Sequence, residues 1–163
     1  MLLRLVVALI LGGLLGVERE LVKKEAGVRT EMLVAGGAAI FAMIGIMLPY
    51  ITAASLAGAI GALPDSSTVN AGLAVVANIV VGIGFLGAGL IIHDRDRAHG
   101  VTTAAIVWTT AAIGALAGIG LLQFATTAAL IMALLLFILR KLNISERLEG
   151  KPADKAARTK RKI

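Results

Sequence analysis

Charge is missing from four long stretches of this chain, and no motif constrains the fold as strongly. Leu5 to Val17, Met32 to Pro64, Ser66 to Ile92 and Val101 to Leu139 contain no Asp, Glu, Lys, Arg or His. Soluble domains spread their charges along the sequence and are about half apolar. Here 58% of the residues are hydrophobic and the charges are confined to the gaps. Runs of about 20 apolar residues are membrane-span candidates. The chain therefore reads as an all-α, polytopic membrane protein.

The number of spans follows from length and charge. A helix rises about 1.5 Å per residue and the hydrocarbon core is about 30 Å thick. The 39 residues from Val101 to Leu139 are too many for one crossing, and "GIG" at 118–120 divides them. Ser66 to Ile92 supplies one span, and Pro49-Tyr50 divides the run from Met32 to Pro64. Of 16 basic residues, Arg4 stands alone, four lie between 18 and 31, two between 93 and 100, and nine after 139. Five spans place every basic segment but Arg4 on one face, as the positive-inside rule requires. A sixth span at 50–64 would put Arg95 and Arg97 on the face opposite Arg19, Lys23, Lys24 and Arg29.

The expected architecture is a bundle of five transmembrane helices, with the N-terminus outside and the C-terminus cytoplasmic. The spans fall at about 2–17, 32–49, 69–92, 101–117 and 121–139 within a membrane domain covering 1–140. Residues 50–68 form an outer loop, with an interfacial or re-entrant helix as an option. The first segment resembles a signal peptide in length, but "GVERE" follows it rather than a small-residue cleavage site, so it is expected to be retained.

The chain has no cysteine, which removes disulfide and thiol chemistry. Its net charge of +6 is carried by residues 140–163, with nine basic and three acidic side chains. The tail from 141 to 163 is expected to be largely disordered. It serves contact with anionic lipid or orientation of the chain in the bilayer. Nucleic acid is a poor partner, because no aromatic residues or folded module accompany the charge.

"GIGFLGAG" at 82–89 spells G-x-G-x-x-G. As a dinucleotide fingerprint it needs an amphipathic helix behind it and an acidic residue about 20 positions on. Neither is present, since the chain there reads "AAIVWT". In lipid, helices associate through close packing of small residues. Gly82, Gly84, Gly87 and Gly89 are therefore read as a helix-packing surface, and Gly12 and Gly16 as a G-x-x-x-G pair in the first span. The alternative is a broken helix lining a cavity.

"GVERE" (16–20), "KEAGVRT" (24–30), "GIGFLGAGLI" (82–91) and "GVTTAAIVWTTAAIGALAG" (100–118) resemble, in order and spacing, the signature blocks of the MgtC/SapB family of bacterial and archaeal inner-membrane proteins. The resemblance covers residues 1 to about 140. It implies a five-span membrane domain, a multi-pass protein of the cell inner membrane, and a link to low-magnesium stress, acid stress and virulence. Some members are said to restrain the F-type ATP synthase. The chain departs from the family pattern in places. Ala74 stands where a basic residue is usual, Asn78 replaces a Gln, Glu31 replaces the His of R-T-H, and Ile106 replaces a polar residue. The family's soluble C-terminal domain is expected to be absent, making this a short form.

The polar residues gather at the cytoplasmic ends. Glu18 and Arg19 end the first span, Arg29 and Thr30 open the second, and Thr102 and Thr103 open the fourth. Thr30 is expected to cap its helix and Glu31 to complement the helix dipole. Glu18, Arg19, Arg29, Asp94 and Asp96 form either a gate or ion-coordinating vestibule, or ordinary juxtamembrane ion pairs. His93, Asp94, Asp96 and His99 read as a solvated, unstructured loop rather than a metal site. Asn78 bonds a neighbouring helix or lines a polar path. Trp108, mid-span, packs in the bundle or plugs a cavity.

With spans at these boundaries no carboxylate lies inside the membrane, which argues against a dehydrated Mg2+ site and a carboxylate proton relay. No nucleophile–base pair or phosphate cradle is evident, so no enzyme and no cofactor is expected. Two functions stay open. One is transport or permeation of an ion, with Mg2+ the candidate that the resemblance implies. The other is a non-transporting regulator bound to another membrane complex such as the F-type ATP synthase. Partners are the lipid bilayer and further copies of the chain.

Overall fold

The computed structural model describes residues 1–22, 24–57, 63–94 and 97–142. Five helices follow one another: α1 (Leu2–Leu21), α2 (Val28–Ala57), α3 (Ser66–Leu90), α4 (Val101–Ile119) and α5 (Leu122–Lys141). Among the described residues, α2 to α5 are long and apolar enough to cross a membrane. α1 equals α5 in length, at 20 residues, and carries its charges at its ends, Arg4 at one and Glu18, Arg19 and Glu20 at the other. The protein is an all-α, multi-pass membrane protein.

α1, α2 and α4 pack against one another, α3 lies against α2 and α4, and α5 lies against α1 and α4. Small residues set the inner contacts. A Cβ at Gly12 would sit 2.5 Å from the Glu31 backbone oxygen, and one at Gly16 2.5 Å from the Val28 Cα. Gly114 and Gly118 of α4 press on the backbone of Ala35 and Ala39 of α2. These are two G-x-x-x-G faces, each laid on the backbone of α2. Leu11, Leu15, Ile113, Ala117, Ala125 and Ala129 fill the space beside them.

α2 differs most from the sequence expectation. It begins at Val28 rather than at 32, and it runs through Pro49 to Ala57 instead of stopping at Pro49. Thus 50–57, expected as outer loop with an interfacial or re-entrant helix as an option, are helix continuous with α2, while 58–62 lie outside the described residues. A proline inside a helix normally costs about 3 kcal/mol through a lost hydrogen bond and a ring clash. Contact with α3 offsets that here. The bond lost is the one to the Gly45 carbonyl, and Gly72 of α3 faces that carbonyl without a side chain. The proline ring packs against Gly72 of α3, where a Cβ would meet Pro49 Cγ at 2.8 Å. Beyond α2, Asp65 caps α3, its Oδ1 accepting the Thr68 amide at 2.9 Å.

Between α3 and α4, two short strands stand in place of the expected unstructured loop, and residues 95–96 lie outside the described residues. β1 (Ile92–Asp94) and β2 (Arg97–His99) pair antiparallel, with Ile92 opposite His99 and His93 opposite Ala98. Gly100, at φ 83°, turns this hairpin into α4 beneath the Leu90 carbonyl, a conformation that disfavours side chains. At the other end of α4, Gly120 at φ 104° caps the helix and starts the turn into α5. Arg4 Nη1 donates to the Gly118 carbonyl there at 3.2 Å. A cation thus sits on the free carbonyls of a helix C-terminus, where the dipole favours it.

Candidate functional site

The packing faces of α1, α2 and α4 carry a few polar residues in register with the small ones. On α1, Arg19 follows Gly12, Leu15 and Gly16 on the buried face. On α2, Glu31 precedes Ala35, Ala38, Ala39 and Ala42, all buried. On α4, Thr103, Val107, Thr110 and Gly114 repeat at three- and four-residue spacing, the period of one helix face. Where these faces meet, Arg19, Glu31, Thr103 and Thr110 are enclosed together, at 5%, 0%, 2% and 0% exposure. They are the buried polar residues among those described.

One part of this cluster is fully bonded. Arg19 Nη2 donates to Thr103 Oγ1 at 2.8 Å, and that hydroxyl donates to Glu25 Oε2 at 3.2 Å. Glu25 lies in the turn between α1 and α2 and is exposed. Its backbone N–H holds its carboxyl below the usual range, against a smaller effect of desolvation. The Thr103 hydroxyl and the charges of Lys24 and Arg19 act in the same direction as the backbone. Glu20 fixes the same turn from the other side. Its Oε2 accepts the Val28 amide at 2.9 Å, so the end of α1 caps the start of α2.

The other part is not bonded. Both Glu31 carboxyl oxygens, the Thr110 hydroxyl, Arg19 Nε and Glu18 Oε2 are buried without a hydrogen-bond partner. The Thr110 hydroxyl faces the Glu31 carboxyl and the Arg19 charge acts on it, yet neither closes a bond. Arg19 Nη1 and Glu18 Oε2 stand 4.0 Å apart. Buried polar groups are nearly always paired, and an unpaired one costs about 1–3 kcal/mol. The Glu31 carboxyl and the Thr110 hydroxyl supply three of these five atoms.

The sequence-predicted residues separate into those in the cluster and those outside it. Glu18, Arg19 and Thr103 belong to it. Arg29, Thr30 and Thr102 are exposed and take no part. Thr30 does not cap α2, because the helix starts two residues earlier and Glu20 holds its first amide. Asp96 and the Asp94 side chain lie outside the described residues. Among the described residues, no three His, Cys, Asp or Glu side chains gather to hold a metal. Asn78 is exposed on α3. Trp108 neither packs inside the bundle nor plugs it. It is half exposed and lines an open apolar groove of about 340 Å3 between α3 and α4, with Val76, Val80 and Ala112.

The glycines also divide. Gly12 and Gly16 lie in the α1–α2 contact, and a Cβ at Gly87 would meet Ala104 of α4 at 3.7 Å. A Cβ at Gly82, Gly84 or Gly89 would meet nothing within 4 Å, so these three form no close contact among the described residues. α3 is thus open both on the face of Gly82 and Gly89 and on that of Gly84.

Sequence reasoning gave Glu31 only a helix-dipole role and missed Thr110, Glu25, Gly114 and Gly118. Starting the span at 32 set Glu31 outside the helix, whereas α2 begins at Val28. Glu31 lies in the first turn of a membrane-length helix and is wholly buried. The signal was present in the spacing of Glu31 with Ala35, Ala38 and Ala42, and in "GALAG" at 114–118.

Known proteins carry the same pattern of sequence. The MgtC family matches residues 5–144. A protein called Protein MgtC from Brucella abortus is 40% identical over 135 residues, covering 83% of this chain and 49% of its own length. Protein MgtC from Salmonella typhimurium is 38% identical over 139 residues, covering 85% of this chain and 52% of its own. An uncharacterized protein from Synechocystis is 37% identical over 142 residues, covering 87% and 53%. The chain thus spans about half the length of the curated relatives it matches. No solved structure matches it. With the match running through all five helices, the chain belongs to the MgtC family.

Proposed function

We propose that this protein binds a cation within the membrane and conveys it, with Glu31 at the centre of its ion site. One observation carries the reading: a wholly buried carboxylate with both oxygens unpartnered, facing a hydroxyl, in a membrane-length helix. Ionisable groups at membrane depth are expensive and mark ion or proton pathways. The basic segments then face the cytosol of a cell inner membrane by the positive-inside rule. Cysteines placed at Ser67 and Lys24 should label from opposite sides. A role in low-magnesium or acid stress follows from the family resemblance, and Mg2+ is the ion that the resemblance brings forward.

Flux tests the reading. Liposomes containing the purified protein should pass cations, and Glu31→Gln should abolish the passage while the protein stays folded and inserted. Equal flux through both proteins would refute a role for Glu31. No flux of any cation through the wild type favours the second reading, a regulator that binds another membrane complex. That reading draws on α3, which is almost entirely uncovered and carries Asn78, Gly82 and Gly89 on one face.

A further inference from the structure

The charge enclosed around Glu31 restricts what the site can hold. α1 contributes Glu18 and Arg19, whose side chains are 16% and 6% exposed. α2 contributes Glu31, and α4 contributes only the neutral Thr103 and Thr110. α3, which also packs on α2, has no ionisable residue. Glu20, Lys24 and Glu25 are exposed, so water screens them. At this end of the bundle the charged side chains that are not exposed among the described residues, Glu18 beside Arg19, Arg19 itself and Glu31, sum to −1, and the charge that acts on Glu31 is that of Arg19.

One added positive charge brings that set to neutrality. A divalent ion would leave a net +1 enclosed among apolar helices beside Arg19, and uncompensated buried charge is costly. Geometry acts in the same direction. Mg2+ gives up its waters reluctantly and keeps several of them at most sites. Glu31 is 0% exposed, and a carboxylate with no exposed surface suits a proton or an ion that sheds its waters readily better than one that keeps them.

We propose that Glu31, with the Thr110 hydroxyl, binds a single positive charge, either a proton or an alkali metal ion, and not a divalent ion. This rests on the cation-binding reading above and narrows its ligand. With a metal ion, the Glu31 oxygens and Thr110 Oγ1 are ligands. With a proton, the Glu31 carboxyl becomes a donor and Thr110 Oγ1 accepts. The Arg19–Thr103–Glu25 chain keeps its bonds in both cases and positions the guanidinium.

The test uses the full chain in lipid nanodiscs. Thermal unfolding is followed while Na+, K+ or Mg2+ replaces choline at constant ionic strength, and again while pH is varied from about 8 to 5, the span in which maximal protein stability usually lies. Binding at ten times Kd should raise Tm by about 3–6 °C. If the occupant is an alkali metal ion, Na+ or K+ raises Tm. If it is a proton, acidification raises Tm and an infrared carboxylic-acid band appears. Either response should vanish in Glu31→Gln. Should that variant fail to fold, Thr110→Val should weaken the response about tenfold, as loss of a hydrogen bond to a charged group implies. A Tm rise with Mg2+ that Glu31→Gln abolishes would overturn the monovalent assignment and leave the cation-binding function standing. A wild type indifferent to every cation and to pH would overturn both. So would a response that survives unchanged in Glu31→Gln.

Discussion

Gly114→Ala should damage this protein, and Gly82→Ala should not, although each adds one methyl group to a glycine in a membrane helix. A Cβ at Gly114 would fall 2.7 Å from the Ala35 Cα and 2.8 Å from its carbonyl carbon, where ordinary contact begins at 3.4 Å. The obstacle is backbone, so no side chain can rotate away. α2 and α4 must separate by about 0.7 Å along that line. A gap of 0.5–1 Å forfeits roughly a quarter to a half of the dispersion energy of each contact it opens. Overpacking of this kind costs about 1–3 kcal/mol. In lipid no hydrophobic term compensates, because helix association relies on packing itself. At Gly82 nothing lies within 4 Å, so alanine gains up to about 1 kcal/mol of helix propensity. Gly114→Ala shares that propensity gain, so the two variants should differ by the overpacking cost, about 1–3 kcal/mol. Thermal unfolding in one detergent, with size measured by light scattering, reads the difference. A Gly114→Ala protein as stable as wild type would refute the close-packing argument. Equal damage at Gly82 would show that the open face of α3 is buried against a second molecule.

Two further outcomes follow from the polar residues. Arg19→Met should destabilise by about 3–5 kcal/mol, because it strands Glu18 and Glu31 without a counter-charge. Thr103→Val should cost about 1–3 kcal/mol, and denaturant titration of both checks the order. The Thr68 amide bond, with the backbone and Ser67 contributions, holds the Asp65 carboxyl below its ordinary value of 3.8. A depressed carboxylate stabilises above its unfolded pKa and loses that contribution as pH falls through the folded one. Protection of the Thr68 amide, its exchange rate relative to an unfolded chain at the same pH, should thus persist at pH above 3.8 and be lost only below it. A Thr68 amide without protection at neutral pH would remove the cap.

Composition and charge placement make the membrane helices legible, because an apolar run reports its surroundings directly. The division at 118–120 is legible for the same reason: Gly120 takes a positive φ and ends α4. The ends of α2 are not. Charge at Arg29 and Glu31 reads as the membrane boundary, but burial against α1 and α4 is a property of the folded bundle and leaves only a spacing in the sequence. Pro49 reads as a stop, since its cost is local while its relief comes from Gly72, 23 residues away in another helix. Arg19 and Thr103 can be named from the sequence, but their bond, across 84 residues, cannot. The glycines show the same limit. "GIGFLGAG" and "GALAG" read alike, yet Gly114 and Gly118 meet α2 while Gly82, Gly84 and Gly89 meet nothing among the described residues.

The two arginines of α1 also set a clock for biosynthesis. Arg4 bonds the Gly118 carbonyl and Arg19 bonds the Thr103 hydroxyl, 114 and 84 residues further along the chain. At about 5–20 residues per second, the ribosome needs roughly 4–23 s to supply those partners. Until then the guanidiniums of α1 lack the partners that α4 brings. α1 is thus made before α4 but cannot complete these contacts until α4 arrives, and a pause in translation before residue 101 would prolong that interval.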